Sequence, residues 1–158
     1  MTENQSKVQI DQIRKFVLRD SETTDDIVKY LKEKGFTFIE NHITQKNFPL
    51  GLQDGDIQIE IIDPDCPFTE AKGIEILKSV GLERPTYENA LRFARQYGDI
   101  ITVKPFIVFL HEPWVDSFGN RCVLYVDTRP GHRELDLDYP GGGFTDDCVL
   151  AGVRPHKS

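Results

Sequence analysis

VFLHEPW, residues Val108–Trp114, ends an apolar run in a histidine, a glutamate, a proline and the chain's only tryptophan. How this stretch is read decides the architecture. Successive side chains of a strand point to opposite faces. Phe106, Val108 and Leu110 therefore share one face, and Ile107 and Phe109 share the other. Both sets are large and apolar, which predicts a strand over Pro105–His111 at the centre of a sheet, covered on both sides. His111 prolongs the Ile107/Phe109 face and Glu112 the opposite one. Pro113 ends the strand, because it has no N–H to give a ladder.

Downstream, Arg121–Asp127, Arg133–Asp138 and Cys148–Val153 read as further strands with no helical pattern between them. Parallel pairing needs a crossover of about a dozen residues or more. The links are shorter, so an antiparallel meander is expected.

Upstream lie the helices. Ile10, Ile13 and Val17 fit one helical face with Phe16 beside them, so Val8–Leu18 reads as a helix, although Phe16–Leu18 also suits a strand. Thr23 with Asp26 forms a weak capping box, and Ile27, Val28, Tyr30 and Leu31 supply a buried face ended by Gly35. Phe36–Ile39 reads as a short strand. LQDGDIQIEII reads as a hairpin turning at Asp54-Gly55, with Ile57, Ile59 and Ile61 on one face. Thr69 and Thr86 start two more helices, stopped by Gly81 and Gly98, and their short link favours an αα-hairpin. The fold class is α+β, with the antiparallel C-terminal meander packed on one side by helices from the N-terminal two-thirds. Residues 1–158 form one domain, of which 1–7 are expected to be loose.

The totals narrow the function. A chain of 158 residues suits one domain and needs no staple. A net charge of −7 argues against nucleic acid and anionic membranes as partners, since both are bound through clustered lysine and arginine. The N-terminus lacks the apolar stretch of a signal peptide. Three cysteines without a CxxC spacing fit reduced thiols in a cytoplasmic protein. Neither a glycine-flanked serine nor HExxH occurs, and nothing points to a cofactor or a bound metal.

Several candidates remain. His111 and Trp114 stand at the end of the central strand, where a rigid scaffold meets an exit loop. His132, Glu134, Asp136 and Asp138 line one strand face, but residues two apart on a strand are nearly 7 Å apart and cannot all share an ion. The glycines of DYPGGGFTDDC, Gly142 among them, offer amides to an anion or a flap over a pocket. Asp146 and Asp147 follow and would repel phosphate. Arg121, Arg129 and Arg133 are candidate anion clamps. Cys148 and His111 would form a thiol–imidazole pair only if their registers agreed. Two functions follow. The first is a non-catalytic domain that binds a small molecule or a protein through His111, Trp114 and the glycine loop. The second is a small hydrolase or lyase, with His111 as acid–base, Glu112 or Asp146 as its carboxylate and Arg129 or Arg133 as clamp. Under either, His111→Ala is expected to fold.

Overall fold

The computed structural model describes residues 9–17, 22–51, 56–100 and 102–155. The loose segment expected at 1–7 and the turn expected at Asp54-Gly55 lie outside them. The strands are β1 (Gln9–Val17), β2 (Phe38–Ile39), β3 (Asp56–Asp63), β4 (Phe106–Val108), β5 (Trp114–Val115), β6 (Arg121–Asp127), β7 (Glu134–Asp138) and β8 (Cys148–Val153). The helices are α1 (Thr24–Glu33), α2 (Glu70–Ser79) and α3 (Tyr87–Tyr97), with a 3-10 turn at Pro140–Gly142.

Local chemistry starts each helix where the sequence predicts. The Thr23 hydroxyl accepts from the Asp26 amide at 3.1 Å, and the Asp26 carboxylate accepts from the Thr23 amide at 3.0 Å, closing a capping box. Thr69 caps α2 alone, while Thr86 and Asn89 close a second box on α3. Each cap satisfies an amide that has no partner inside its helix.

The architecture is α+β, but the sheet is mixed. Its order is β1-β3-β8-β4-β6-β7-β2, with β5 attached to β6. The β4-β6-β7 portion is the antiparallel meander expected. β8 instead returns to lie parallel to β4, Phe106 opposite Cys148 and Val108 opposite Leu150, and β2 runs parallel to β7. The β7–β8 link, 139–147, shows why a helical crossover is unnecessary. Nine residues reach roughly 30 Å when extended, and the three strand spacings to be crossed amount to about 14 Å. Phe144 tethers the link by exchanging two backbone hydrogen bonds with Phe68 and stacking on its ring at 5.2 Å.

Further expectations are corrected. Residues 9–17 form strand β1, paired with β3, rather than a helix. β3 lies between β1 and β8, and the first arm of the expected hairpin falls outside the described residues. Helices cover both faces of the sheet. Ile27 and Leu31 of α1 join Ala90, Leu91, Phe93 and Ala94 of α3 over Ile59, Ile107, Phe109, Leu124 and Val149. Ile76 and Leu77 of α2 pack with Phe68, Leu82 and Phe144 on the other face, over Ile62, Val108, Val123 and Leu150. α2 and α3 thus straddle the sheet instead of forming an αα-hairpin. The approach of α2 is close: a Cβ on Gly152 of β8 would lie 2.8 Å from both Leu77 and Leu82.

Candidate functional site

β4 and β5 run along β6 as one interrupted arm. The ladder stops at Val108 opposite Tyr125 and resumes at Trp114 opposite Cys122. Five residues, Phe109 to Pro113, therefore face two, Val123 and Leu124, and the arm bulges. Bulges leave ladder groups without partners, and here side chains replace them. The Leu124 amide donates to His111 Nε2 at 2.9 Å. With Nε2 accepting, the ring proton sits on Nδ1, which donates to the Glu112 carbonyl at 2.8 Å. Arg84 reaches in from beyond α2 and donates to the carbonyls of Leu110 at 3.0 Å and His111 at 3.1 Å.

His111 is 1 % exposed. Burial holds its pKa down at about 4, with the nearby Arg84 cation pushing the same way and the Glu112 carbonyl opposing both. The ring is thus a neutral core group with both nitrogens engaged by the backbone. Its tie to Glu112 runs through the main chain, while the Glu112 carboxylate faces solvent 3.4 Å from Arg84. The geometry gives this pair a structural task and leaves neither ring nitrogen open for proton transfer. It also revises the expectation that His111→Ala folds without loss.

His111, in the core, and Trp114 are linked through stacked rings at the end of β4. The indole packs on Phe48 at 5.2 Å and on His42 at 5.9 Å, and Tyr87 joins Phe48 to the His111 ring edge-on. The other predicted site residues lie elsewhere. Arg121 makes a two-point bridge to Glu70, both contacts 2.9 Å. Arg129 closes on Asp127, with its shortest contact at 2.7 Å, at the other end of β4. His132 is exposed in the turn that follows. Arg133 donates to the carbonyls of Asp99 and Ile100 below α3. Gly142 and Asp146 border an open cleft against Phe68, Thr69 and Lys72, on the face opposite Trp114. Cys148 pairs with Phe106, at the far end of β4 from His111, so no thiol–imidazole pair forms, and burial pushes its thiol pKa up. Asp136 accepts from the Tyr125 hydroxyl at 3.0 Å. Among the described residues no three histidine, cysteine or carboxylate side chains gather to hold a metal. The predicted residues do not converge on one cavity.

The feature that stands out was not among the predicted candidates. β5 and β6 are joined by Asp116-Ser117-Phe118-Gly119-Asn120. One Asp116 carboxylate oxygen accepts from the amides of Phe118 and Asn120, each at 2.9 Å, and the other accepts from the Asn120 side chain at 3.2 Å. Main-chain bonds from Asp116 to Asn120 and from Gly119 to Asp116 close the turn, and Gly119 adopts φ +83°. These bonds hold the Asp116 pKa below its ordinary value, the Asn120 amide most strongly. The turn carries Phe118 at its tip, 88 % exposed, with Val115 beside it at 55 %. Tyr139, also exposed, follows the last β6–β7 pair at the same end of the sheet. Burial pushes the pKa of the Cys122 thiol up at the hairpin's base, and the nearby carboxylates of Asp116, Glu40 and Asp138 add to the shift.

Comparison with protein-family models, with curated proteins and with solved structures finds no match to this chain.

Function has therefore to be read from the geometry. A legible signal lay in DSFGN: a large apolar residue between an Asx-turn aspartate and a glycine, where nothing in the turn can bury it. Chemically the hairpin offers a stiff apolar projection, with the Asp116 carboxylate in its turn and the Arg121–Glu70 ion pair at its base.

Proposed function

We propose that the chain is a non-catalytic interaction domain that presents the β5–β6 hairpin to a protein partner. The observation that carries this reading is Phe118, 88 % exposed on a turn that five hydrogen bonds hold in one shape. An exposed aromatic on a preformed turn binds without first losing conformational freedom, and aromatic side chains are enriched among interface anchors. The carboxylates of Asp116, Glu40 and Asp138 around the hairpin base favour a partner with a basic rim about an apolar pocket. The same acidity speaks against nucleic acid. No helix among the described residues is long and apolar enough to cross a membrane. Three unpaired cysteines, one of them exposed, fit a reducing compartment such as the cytoplasm. The hydrolase or lyase alternative gains no support from a neutral imidazole whose two nitrogens are both taken.

The test places a photo-crosslinking amino acid at position 118 and, as control, at exposed Lys78, in cells. Adducts to one basic protein from position 118 alone support the reading. Equal labelling from both positions, or none, overturns it.

A further inference from the structure

We propose that two copies of this chain join edge to edge through β1, antiparallel about Ile13, to form one continuous sheet. β1 is the last strand on its side of the sheet, and among the described residues none pairs with its outer edge. An unpaired edge is a template for another strand. The opposite side of the sheet is blunted: β2 has two residues, and Asp136 and Asp138 of β7 continue past it. β1 runs for nine residues, QIDQIRKFV, without proline or glycine.

The order of residues along β1 selects the partner and the register. Antiparallel pairing about Ile13 uses the strand's full length. It sets Ile13 opposite Ile13, Gln12 opposite Arg14, Asp11 opposite Lys15 and Ile10 opposite Phe16. Opposite charges meet, and Ile10, Ile13 and Phe16 meet apolar partners, while Gln9 falls opposite Val17 at the ends. Centring on Arg14 sets two arginines face to face, and centring on Gln12 sets Ile10 against Arg14. In-register parallel pairing stacks Asp11 on Asp11 and Lys15 on Lys15. Two-fold symmetry repeats each favourable pair. Asp11 is also the residue that the β1–β3 ladder leaves without a partner, at the register shift between Ile10 and Gln12. Self-pairing supplies one.

Sedimentation of the full chain over a concentration series tests this. Wild type is expected to dimerise. Asp11→Lys and Lys15→Asp each set like charges opposite one another twice, and each should weaken the dimer about tenfold or more. Mixed one to one, the two variants restore complementary pairs, so a heterodimer of wild-type affinity should form. Hydrogen exchange on the wild type gives a readout that does not depend on the variants: amides of β1 should gain protection as concentration rises. A wild-type monomer at every concentration, a dimer indifferent to both substitutions, or β1 protection unchanged by dilution overturns the proposal.

Discussion

Two polar side chains, His111 and Asp116, hold the two irregular parts of the β4–β6 arm. His111→Ala leaves the Leu124 amide buried and unpaired, which should cost about 1–3 kcal/mol in urea unfolding. The same ring makes stability depend on pH. Its pKa is about 4 in the folded chain and near 6.5 when unfolded. Between those values the unfolded chain takes up a proton that the folded chain refuses. Stability from this group is therefore complete above pH 6.5 and falls as pH drops towards 4, by about 3 kcal/mol in all. Wild type minus His111→Ala, measured across that range, isolates the effect; a flat difference would show that the ring is not buried neutral. For Asp116 the sign agrees but the window is lower. Its depressed pKa makes the turn's stability present above the ordinary carboxylate range and lost as pH falls through the folded value. Asp116→Ala should speed hydrogen exchange at Phe118 and Asn120 while the core amides stay protected.

At the level of elements, legibility followed the range of the forces involved. Thr23, Thr69 and Thr86 were readable because a cap acts within three residues. β1 was not, because Ile10, Ile13 and Val17 satisfy a helical period, and what makes 9–17 a strand is β3, some forty residues away in sequence. The central placement of β4 was readable from its two apolar faces. The bulge after it was not, since Leu124 N–H becomes an orphan only once β6 is aligned. Gly152 tests the packing of α2 on β8. Gly152→Ala pushes a methyl into Leu77 and Leu82 and should cost about 1–3 kcal/mol by thermal or urea unfolding. A neutral outcome would mean that α2 shifts freely on the sheet.

At the scale of the molecule, the hairpin tip and the β1 edge are separate surfaces, and they predict separate losses. Phe118→Ala should abolish partner capture by a crosslinker at the neighbouring exposed Ser117 and leave melting within about 0.5 kcal/mol of wild type, because the ring is exposed. A large loss of stability instead would make Phe118 part of the fold. The scattering of Arg121 and Arg133 was beyond sequence reasoning because their acceptors are distant in the chain: Glu70 at the start of α2, and the carbonyls of Asp99 and Ile100 after α3. Arg129 instead closes on Asp127 only two residues back.

The position of β8 has a consequence for assembly on the ribosome. Among the described residues, β1 and β3 are hydrogen-bonded to the β4-β6-β7-β2 half of the sheet only through β8, yet β8 is the last described strand to emerge. Until it arrives, Ile59, Ile61 and Ile62 have no neighbour on that side, and the two half-sheets stay unlatched. A nascent chain arrested before Cys148 should therefore remain protease-sensitive throughout, and release of the final strand should confer resistance on both halves at once.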